Sequence, residues 1–495
     1  MAQSESIERK WVLLLCLLAA VHVFIFSAAF PLINNVDEQA HFDLVVKYSH
    51  GRPPRSLEQD SKESMQYTVI YGSQEFFWPP ETFPGKQIPP PPWTQPPEKI
   101  MPLFQAREAA WQSANHESGQ PPLYYALAGF WWDVGKHLGF EGGFLVYWLR
   151  FLNILFVATL VCLGYAVAKE IFPENSFLRL GVPALLAFMP QTALYSITND
   201  VLSPLCFGAA FLCLVKLSRV EIPGVRLGTF AGLCLAATFL TKMSNLPLLA
   251  VAFAAVLLKI LRLAKSGKLR ASLPSLASLS LCAGLPMAAW LAWCKINFGD
   301  FTGTAAKIHM LTWTRKPFGQ WWHHPIFTPH GFWIFLHDLL SSFWQGEFLW
   351  HGKSMALPAV SVAFAILSVC MVGAAMICLA SRFSTATSSQ TESLWLAFWS
   401  FIAAIAFLGF LSIIYDFHDC FYPSPEHPYF TSGRLMLGAL IPFMLLFVYG
   451  MDRVLKKFGD RTKFFALAAI VLLMLTSEIA TDWPAFSSPY NWFHM

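Results

Sequence analysis

The chain is organised as long apolar runs separated by polar stretches. Eleven runs stand out, at 11–33, 145–168, 177–197, 201–217, 227–241, 245–261, 273–296, 356–379, 393–415, 435–449 and 464–479. A bilayer core takes about 20 apolar residues per helix, so the pattern predicts an all-α integral membrane protein of about eleven spans. A further segment, 121–137, is short and carries Asp133 and Lys136. The first run follows Arg9 and Lys10 but is too long for the apolar part of a signal peptide, and Pro31-Leu32-Ile33-Asn34 is no small-residue cleavage site. It reads as an uncleaved first helix.

Basic residues set the orientation. If 121–137 does not cross, five groups fall on one side: Lys169 and Arg179; Lys216, Arg219 and Arg226; Arg262, Lys265, Lys268 and Arg270; Arg382; and Arg453, Lys456, Lys457, Arg461 and Lys463. That side is the cytoplasm. The N-terminus is then cytoplasmic, the C-terminus extracytoplasmic, and 121–137 a juxtamembrane or re-entrant helix. Four regions follow: the first helix and first outer loop at 1–144, a helical core at 145–297, a second outer loop at 298–355, and C-terminal helices at 356–495. The inner loops carry little besides basic charge, so the chemistry belongs on the outer face.

Composition agrees. Of 495 residues, 55% are hydrophobic and 13% charged, against about 25% charged in a soluble domain. Mean hydropathy is +0.48. This excludes a disordered chain, a coiled coil and an ordinary soluble enzyme. A net charge of +4 gives no reason to expect nucleic acid. Most of the ten cysteines lie inside apolar runs, and none has zinc-site spacing.

The first outer loop opens with Asn35-Val36-Asp37-Glu38-Gln39-Ala40-His41. Asn35 with Glu38 three residues on fits a capping box, and Asp37 and His41 share a helical face. Asp37 and Glu38 stand directly at the outer end of the first span, where an acid can be desolvated and held against a substrate. The middle of the loop, through Pro89-Pro90-Pro91-Pro92, reads as extended polyproline. It closes with His116-Glu117-Ser118-Gly119-Gln120-Pro121-Pro122-Leu123-Tyr124-Tyr125, two prolines entering an aromatic helix.

These elements together resemble the polyprenyl-phosphate-dependent GT-C glycosyltransferases. The resemblance rests on the Asp37-Glu38 end of the first helix, the Ala40-His41 helix and the Gly51-Arg52-Pro53-Pro54 turn. It extends to Gly119-Gln120-Pro121-Pro122-Leu123-Tyr124, Asn199-Asp200, Thr241-Lys242 and Ser432-Gly433-Arg434. It covers nearly the whole chain and is nearest to a bacterial subgroup of predicted membrane proteins. Gln120, Ser432 and Leu435 depart from that subgroup's pattern. The resemblance implies a GT-C-like fold with two long helical extracytoplasmic loops in a bacterial inner or plasma membrane. It implies hexosyl or pentosyl transfer from a polyprenyl-phosphate sugar to a glycan, lipid or protein acceptor.

On that reading Asp37 is the general base that an acceptor hydroxyl needs, Glu38 supports it, and Asp200 is a second acid. Arg434 and Lys242 are the cations for a leaving phosphate, and His41, Gln120 and Tyr124 bind substrate. Arg150 and Asn153 begin a helix at the same end and are placed to meet the first loop. No cofactor is expected; a divalent cation on Asp37, His41 and Asp200 stays open as an alternative. The histidines at 309, 323, 324, 330, 337 and 351 show no repeated spacing and read as an interfacial loop. The rival function is a transporter or lipid flippase without glycosyl transfer.

Overall fold

The computed structural model describes residues 2–76, 78–110, 114–381, 386–420 and 422–495; Arg382 lies outside them. Among the described residues nine helices are long and apolar enough to cross a membrane: Ser6–Ala29, Gly142–Ile171, Asn199–Arg219, Met243–Lys265, Leu269–Phe298, Pro358–Ala380, Ser388–Ile414, Gly433–Val454 and Asp460–Phe486. Two more apolar helices are shorter, Ser176–Ala187 and Val225–Thr241. The segment Leu123–His137 is a helix packed against Glu38–Ser49.

Burial separates the spans into a centre and a rim. The apolar window of Gly433–Val454 is 94% buried, so this helix is the central pillar. The windows of Leu269–Phe298 and Asp460–Phe486 are only 28% buried. Apolar side chains left uncovered on such helices are what a bilayer solvates.

The run 177–197 is the largest departure from the expected spans. Its helix stops at Ala187, because Pro190 has no N–H to donate and keeps its neighbour out of helical geometry. The chain then continues as buried irregular backbone with one-turn helices at Thr192–Leu194 and Asn199–Leu202. Irregular backbone at membrane depth has to be satisfied by protein. Here Gln191 donates to the carbonyls of Ser342 and Phe343, both at 2.8 Å, and Asn153 donates to the Ser196 carbonyl at 2.8 Å.

The first outer loop also differs from expectation in two places. The capping box does not form. The helix Glu38–Ser49 is preceded by Asp37 as N-cap: Asn35 Oδ1 accepts from the Val36 N–H at 2.8 Å, and the Glu38 carboxylate is taken by Arg150 and the Asn34 N–H. The proline-rich stretch is broken into one-turn helices at Pro80–Thr82, Pro84–Lys86 and Pro92–Thr94, followed by Pro97–Ala110. Proline at a first helical position has its φ already set. Trp93 from this stretch packs edge-on against Tyr490 of the C-terminal tail, and Tyr490 donates to the Pro89 carbonyl at 2.8 Å.

The second outer loop holds the helix Pro329–Gln345 and two short antiparallel pairings. Thr314–Arg315 pairs with Tyr415–Asp416, Thr314 opposite Asp416. Leu349–Trp350 pairs with Lys353–Ser354.

Glu38 and Arg150 hold the start of the first loop. Both side chains are fully buried, with Arg150 Nη2 at 2.8 Å from Glu38 Oε1. Removing one member of such a pair leaves an uncompensated charge and costs about 3–5 kcal/mol. Arg150→Met is therefore expected to lower the Tm of the detergent-purified protein sharply. A second expectation concerns Glu75, whose carboxylate meets the hydroxyls of Ser73 and Ser488. Burial pushes this carboxyl up to about 7, against what those hydroxyls can do to lower it. Its contribution to stability is full below the ordinary carboxyl range and is lost as pH rises through 7. Hydrogen-exchange protection of residues 484–495 should fall between pH 6 and pH 8, and Glu75→Gln should flatten that fall.

Candidate active site

Asp37 is delivered by a turn that the chain makes on leaving the first span. Ile33 and Asp37 both take positive φ, 53° and 60°, a conformation Asp tolerates better than most residues. Although Asp37 is the N-cap of Glu38–Ser49, its side chain makes no capping bond. Glu38 fixes the turn instead. It accepts from the Asn34 and Ile197 backbone N–H groups, each at 3.0 Å, and from Arg150. Arg150 donates onward to the carbonyls of Phe30 and Pro31 at 2.6 and 2.9 Å. The Asp37 carboxylate is left facing a cavity.

Arg434 arrives from the opposite end of the chain. A Cβ on Gly433 would lie 2.0 Å from the Phe343 backbone nitrogen, so only glycine lets this segment lie so close to the helix Pro329–Gln345. The Gly433 N–H also donates to Ser342 Oγ at 2.9 Å. From there Arg434 reaches three carboxylates. Its Nη2 bonds Asp37, its Nη1 lies 3.2 Å from Asp200 Oδ2, and its Nε lies 3.3 Å from Glu347 Oε2. Lys242 Nζ donates to Asp200 Oδ1 at 2.6 Å, and Thr198 donates to Asp200 Oδ2 at 2.9 Å.

The third contribution comes from the end of the first loop. Asn115 donates to the Ala40 carbonyl and to Asp43 Oδ2, both at 2.9 Å, and so anchors the next residues. His116 Nε2 then lies 3.1 Å from Asp37 Oδ1 and 3.3 Å from Glu117 Oε1. Lys307 of the second loop bonds Glu117. The two loops meet backbone to backbone, and a Cβ on Gly119 would fall 2.3 Å from the Gly303 carbonyl oxygen.

A cavity of about 530 Å³ opens among these groups, lined by Asp37, His116, Glu117, Gln120, Lys242, Lys307, Glu347 and Arg434, with Trp313, Tyr422 and Phe430 among the apolar wall. Burial opposes ionisation of Asp37, but Arg434, His116 and Lys307 outweigh it and hold the carboxyl well below its usual range. Glu117 is likewise held down, burial being overcome by Lys307 and His116. Burial raises Glu347, against the pull of Arg434. His116 is raised, since its carboxylate neighbours outweigh its burial.

Of the residues singled out in the sequence, Asp37, Gln120, Lys242 and Arg434 line the cavity. Asp200 lies beneath it, bonded to Lys242 and Arg434. Glu38, His41 and Tyr124 sit behind the wall. Glu38 is engaged by Arg150. His41 Nδ1 bonds Tyr125 Oη at 2.7 Å, and burial lowers this imidazole to about 4. Tyr124 is buried and bonded to the Thr198 backbone. His116, Glu117, Lys307 and Glu347 were not singled out. His116-Glu117 stood just before the Pro-Pro pair; Lys307 and Glu347 had no local signal among the aromatics of the second loop. Among the described residues the ligand atoms of Asp37, His116 and Glu117 lie within 4.8 Å of one another, close enough to share a metal ion. His41 is turned away from that group.

A family model described as predicted membrane protein (DUF2142) matches residues 18–415. No curated protein matches the chain. Solved structures similar to it include three of the oligosaccharyltransferase of Archaeoglobus fulgidus. The one named AglB, in complex with an inhibitory peptide and a dolichol-phosphate, is 12% identical, with a TM-score of 0.45 over 97% of this chain and 56% of that one. The complex with Zn and sulfate is 13% identical, with a TM-score of 0.43 over 95% and 53%. The apo form is 14% identical, with a TM-score of 0.42 over 96% and 55%. The chain thus spans just over half the length of these proteins. With most of its length matched by the family model, the protein belongs to the DUF2142 family of predicted membrane proteins.

Proposed function

We propose that the protein is a membrane glycosyltransferase that moves a sugar from a polyprenyl-phosphate carrier to an acceptor on the extracytoplasmic face. The N-terminus is then cytoplasmic and the C-terminus extracytoplasmic. One observation carries this reading: Asp37 and Asp200, far apart in sequence, meet on Arg434 beside a cavity that also holds Lys242 and Lys307. Acids to activate a hydroxyl and cations to receive a phosphate are the two requirements of the reaction.

In the proposed step Asp37 accepts the proton of the acceptor hydroxyl. The oxygen attacks the anomeric carbon from the face opposite the phosphate. The bond from that carbon to the phosphate oxygen breaks, and the electron pair leaves on the polyprenyl phosphate. The product has inverted configuration. Held by Arg434, Asp37 is a weak base. A substrate phosphate competes for the guanidinium and so raises the basicity of Asp37 when the donor is in place. Asp200 and Lys242 orient Arg434, Gln120 contacts substrate, and Glu38, His41 and Tyr124 support the wall. A divalent cation, if the reaction uses one, fits Asp37, His116 and Glu117. It would screen the leaving phosphate there, in competition with Arg434 and Lys307 for the same carboxylates. Glycan, lipid and protein acceptors all present a suitable nucleophile.

A second reading, transport, is favoured by one observation. His22 Nε2 pairs with Glu478 Oε2 at 2.7 Å, and Tyr195 pairs with Asp482 at 2.7 Å, with His22, Glu478 and Asp482 on helices long enough to cross the membrane.

Transfer of radiolabelled sugar from a panel of polyprenyl-phosphate sugars tests the first reading. Asp37→Asn should lose about 10²–10⁴-fold in rate in preparations that stay folded and monodisperse, with some fall in Tm because Arg434 loses a partner. A product of retained configuration would refute direct displacement. No transfer by wild type, together with liposome flux that Glu478→Gln abolishes, would move the assignment to transport. Gly433→Ala should displace Arg434 and lower transfer by about 10²-fold, the scale of an ångström misplacement.

A further inference from the structure

A second cavity, of about 390 Å³, lies behind the wall of the first. Trp313 separates them. It lines the first cavity and packs on Tyr415 and Phe417, ring centroids 5.6 and 5.1 Å away, which line the second. The proposed glycosyl transfer makes no use of the second cavity.

Its depth follows from the backbone. The span Ser388–Ile414 ends at Ile414. The Lys316 N–H donates to the Ile414 carbonyl at 2.9 Å, and Asp416 stands just beyond the span in the pairing with Thr314–Arg315. Lys316 and Asp416 both line the cavity. The cavity therefore sits where a helix leaves the hydrocarbon, at the level of lipid headgroups.

Its polar lining is of mixed sign and available. Lys316 brings an ammonium, Asp416 a carboxylate, and Gln320 and His323 an amide and an imidazole. Among the described residues none of these four side chains makes a hydrogen bond or close ion pair. An apolar ledge borders the same segment. Phe318, Trp322 and Phe327 are 65%, 63% and 53% exposed, although Trp322 and Phe327 are large enough to be costly in water. Trp321, next in chain to Trp322, packs on Phe410 of the span at 5.6 Å, so the ledge continues the outward apolar surface of that helix. Aromatic side chains at this depth are at home in a bilayer interface.

We propose that this cavity is a binding site for a phospholipid with a phosphoethanolamine headgroup. Lys316 and His323 take the phosphodiester. The primary ammonium donates to Asp416, as a charge-assisted bond. The acyl chains run over Trp322, Phe327 and Phe410. A choline headgroup has no N–H for Asp416, and a phosphoglycerol headgroup brings no cation to it. The site tethers the second outer loop to the membrane surface beside the first cavity, and it stands whatever reaction that cavity performs.

The test needs no turnover. The full chain is purified in detergent, stripped of lipid, and incubated with equal amounts of phosphatidylethanolamine, phosphatidylcholine and phosphatidylglycerol, and retained lipid is read by native mass spectrometry. Wild type should retain phosphatidylethanolamine about tenfold over the other two, equivalent to about 1.4 kcal/mol. Asp416→Ala should erase that preference, and Lys316→Ala should weaken retention of all three lipids, since each carries the phosphodiester. Trp322→Ser should weaken retention of all three lipids without changing their order. Equal retention by wild type, a preference for phosphatidylglycerol, a preference that survives Asp416→Ala, or undiminished retention by Lys316→Ala would overturn the proposal.

Discussion

The structure depends on one ion pair that water never reaches. Glu38 and Arg150 are both fully buried, in a setting where each charge alone would be expensive. The cost is offset because the pair is completely hydrogen-bonded. Arg150 also serves the carbonyls of Phe30 and Pro31, and Glu38 also serves the N–H groups of Asn34 and Ile197. The turn after the first span and the irregular chain before Asp200 are thereby tied into one body. Asp37 and Asp200 inherit their positions from it. The left-handed conformation of Asp37 persists because its neighbours on both sides are fixed.

Charge balance gives the cavity its character. Asp37, Glu117, Asp200 and Glu347 face Lys242, Lys307, Arg434 and the imidazole of His116, so every basic group in the cluster already has an acid. Burial raises Glu347 against the pull of the guanidinium, whose Nε lies 3.3 Å away. An anionic ligand therefore cannot simply add to the site. It has to take Arg434 from acids that already hold it, so the guanidinium is the exchangeable partner around which binding turns.

Much of this was legible because membrane spans leave a coarse record in sequence. Apolar length marks helices, and a polar residue at the end of an apolar run is forced to one membrane face. Asp37, Asp200, Lys242 and Arg434 all stand at such ends, and they meet. What sequence could not give is the direction a side chain takes once the helices pack. Asp37 and Glu38 are adjacent, yet one faces the cavity and the other faces Arg150. Asn35 and Glu38 had the local pattern of a capping box, but Glu38 was claimed by Arg150 from a distant segment. The run at 177–197 was long enough by composition, but Pro190 ended its helix early. His116 and Glu117 were visible as letters; their place beside Asp37 came from Asn115, whose contacts with Ala40 and Asp43 are tertiary.

The spacing of Arg434 from its partners also matters while the protein is being made. Chains grow from the N-terminus, so Asp37 and Asp200 reach the membrane surface long before residue 434 is translated. Lys242 soon neutralises Asp200, but Asp37 has no guanidinium until nearly nine-tenths of the polypeptide exists. Until then His116 and Lys307 are the basic groups within reach of Asp37, and its strongest partner arrives last. Only the arrival of the central helix, with Arg434 at its start, joins Asp37 to Asp200.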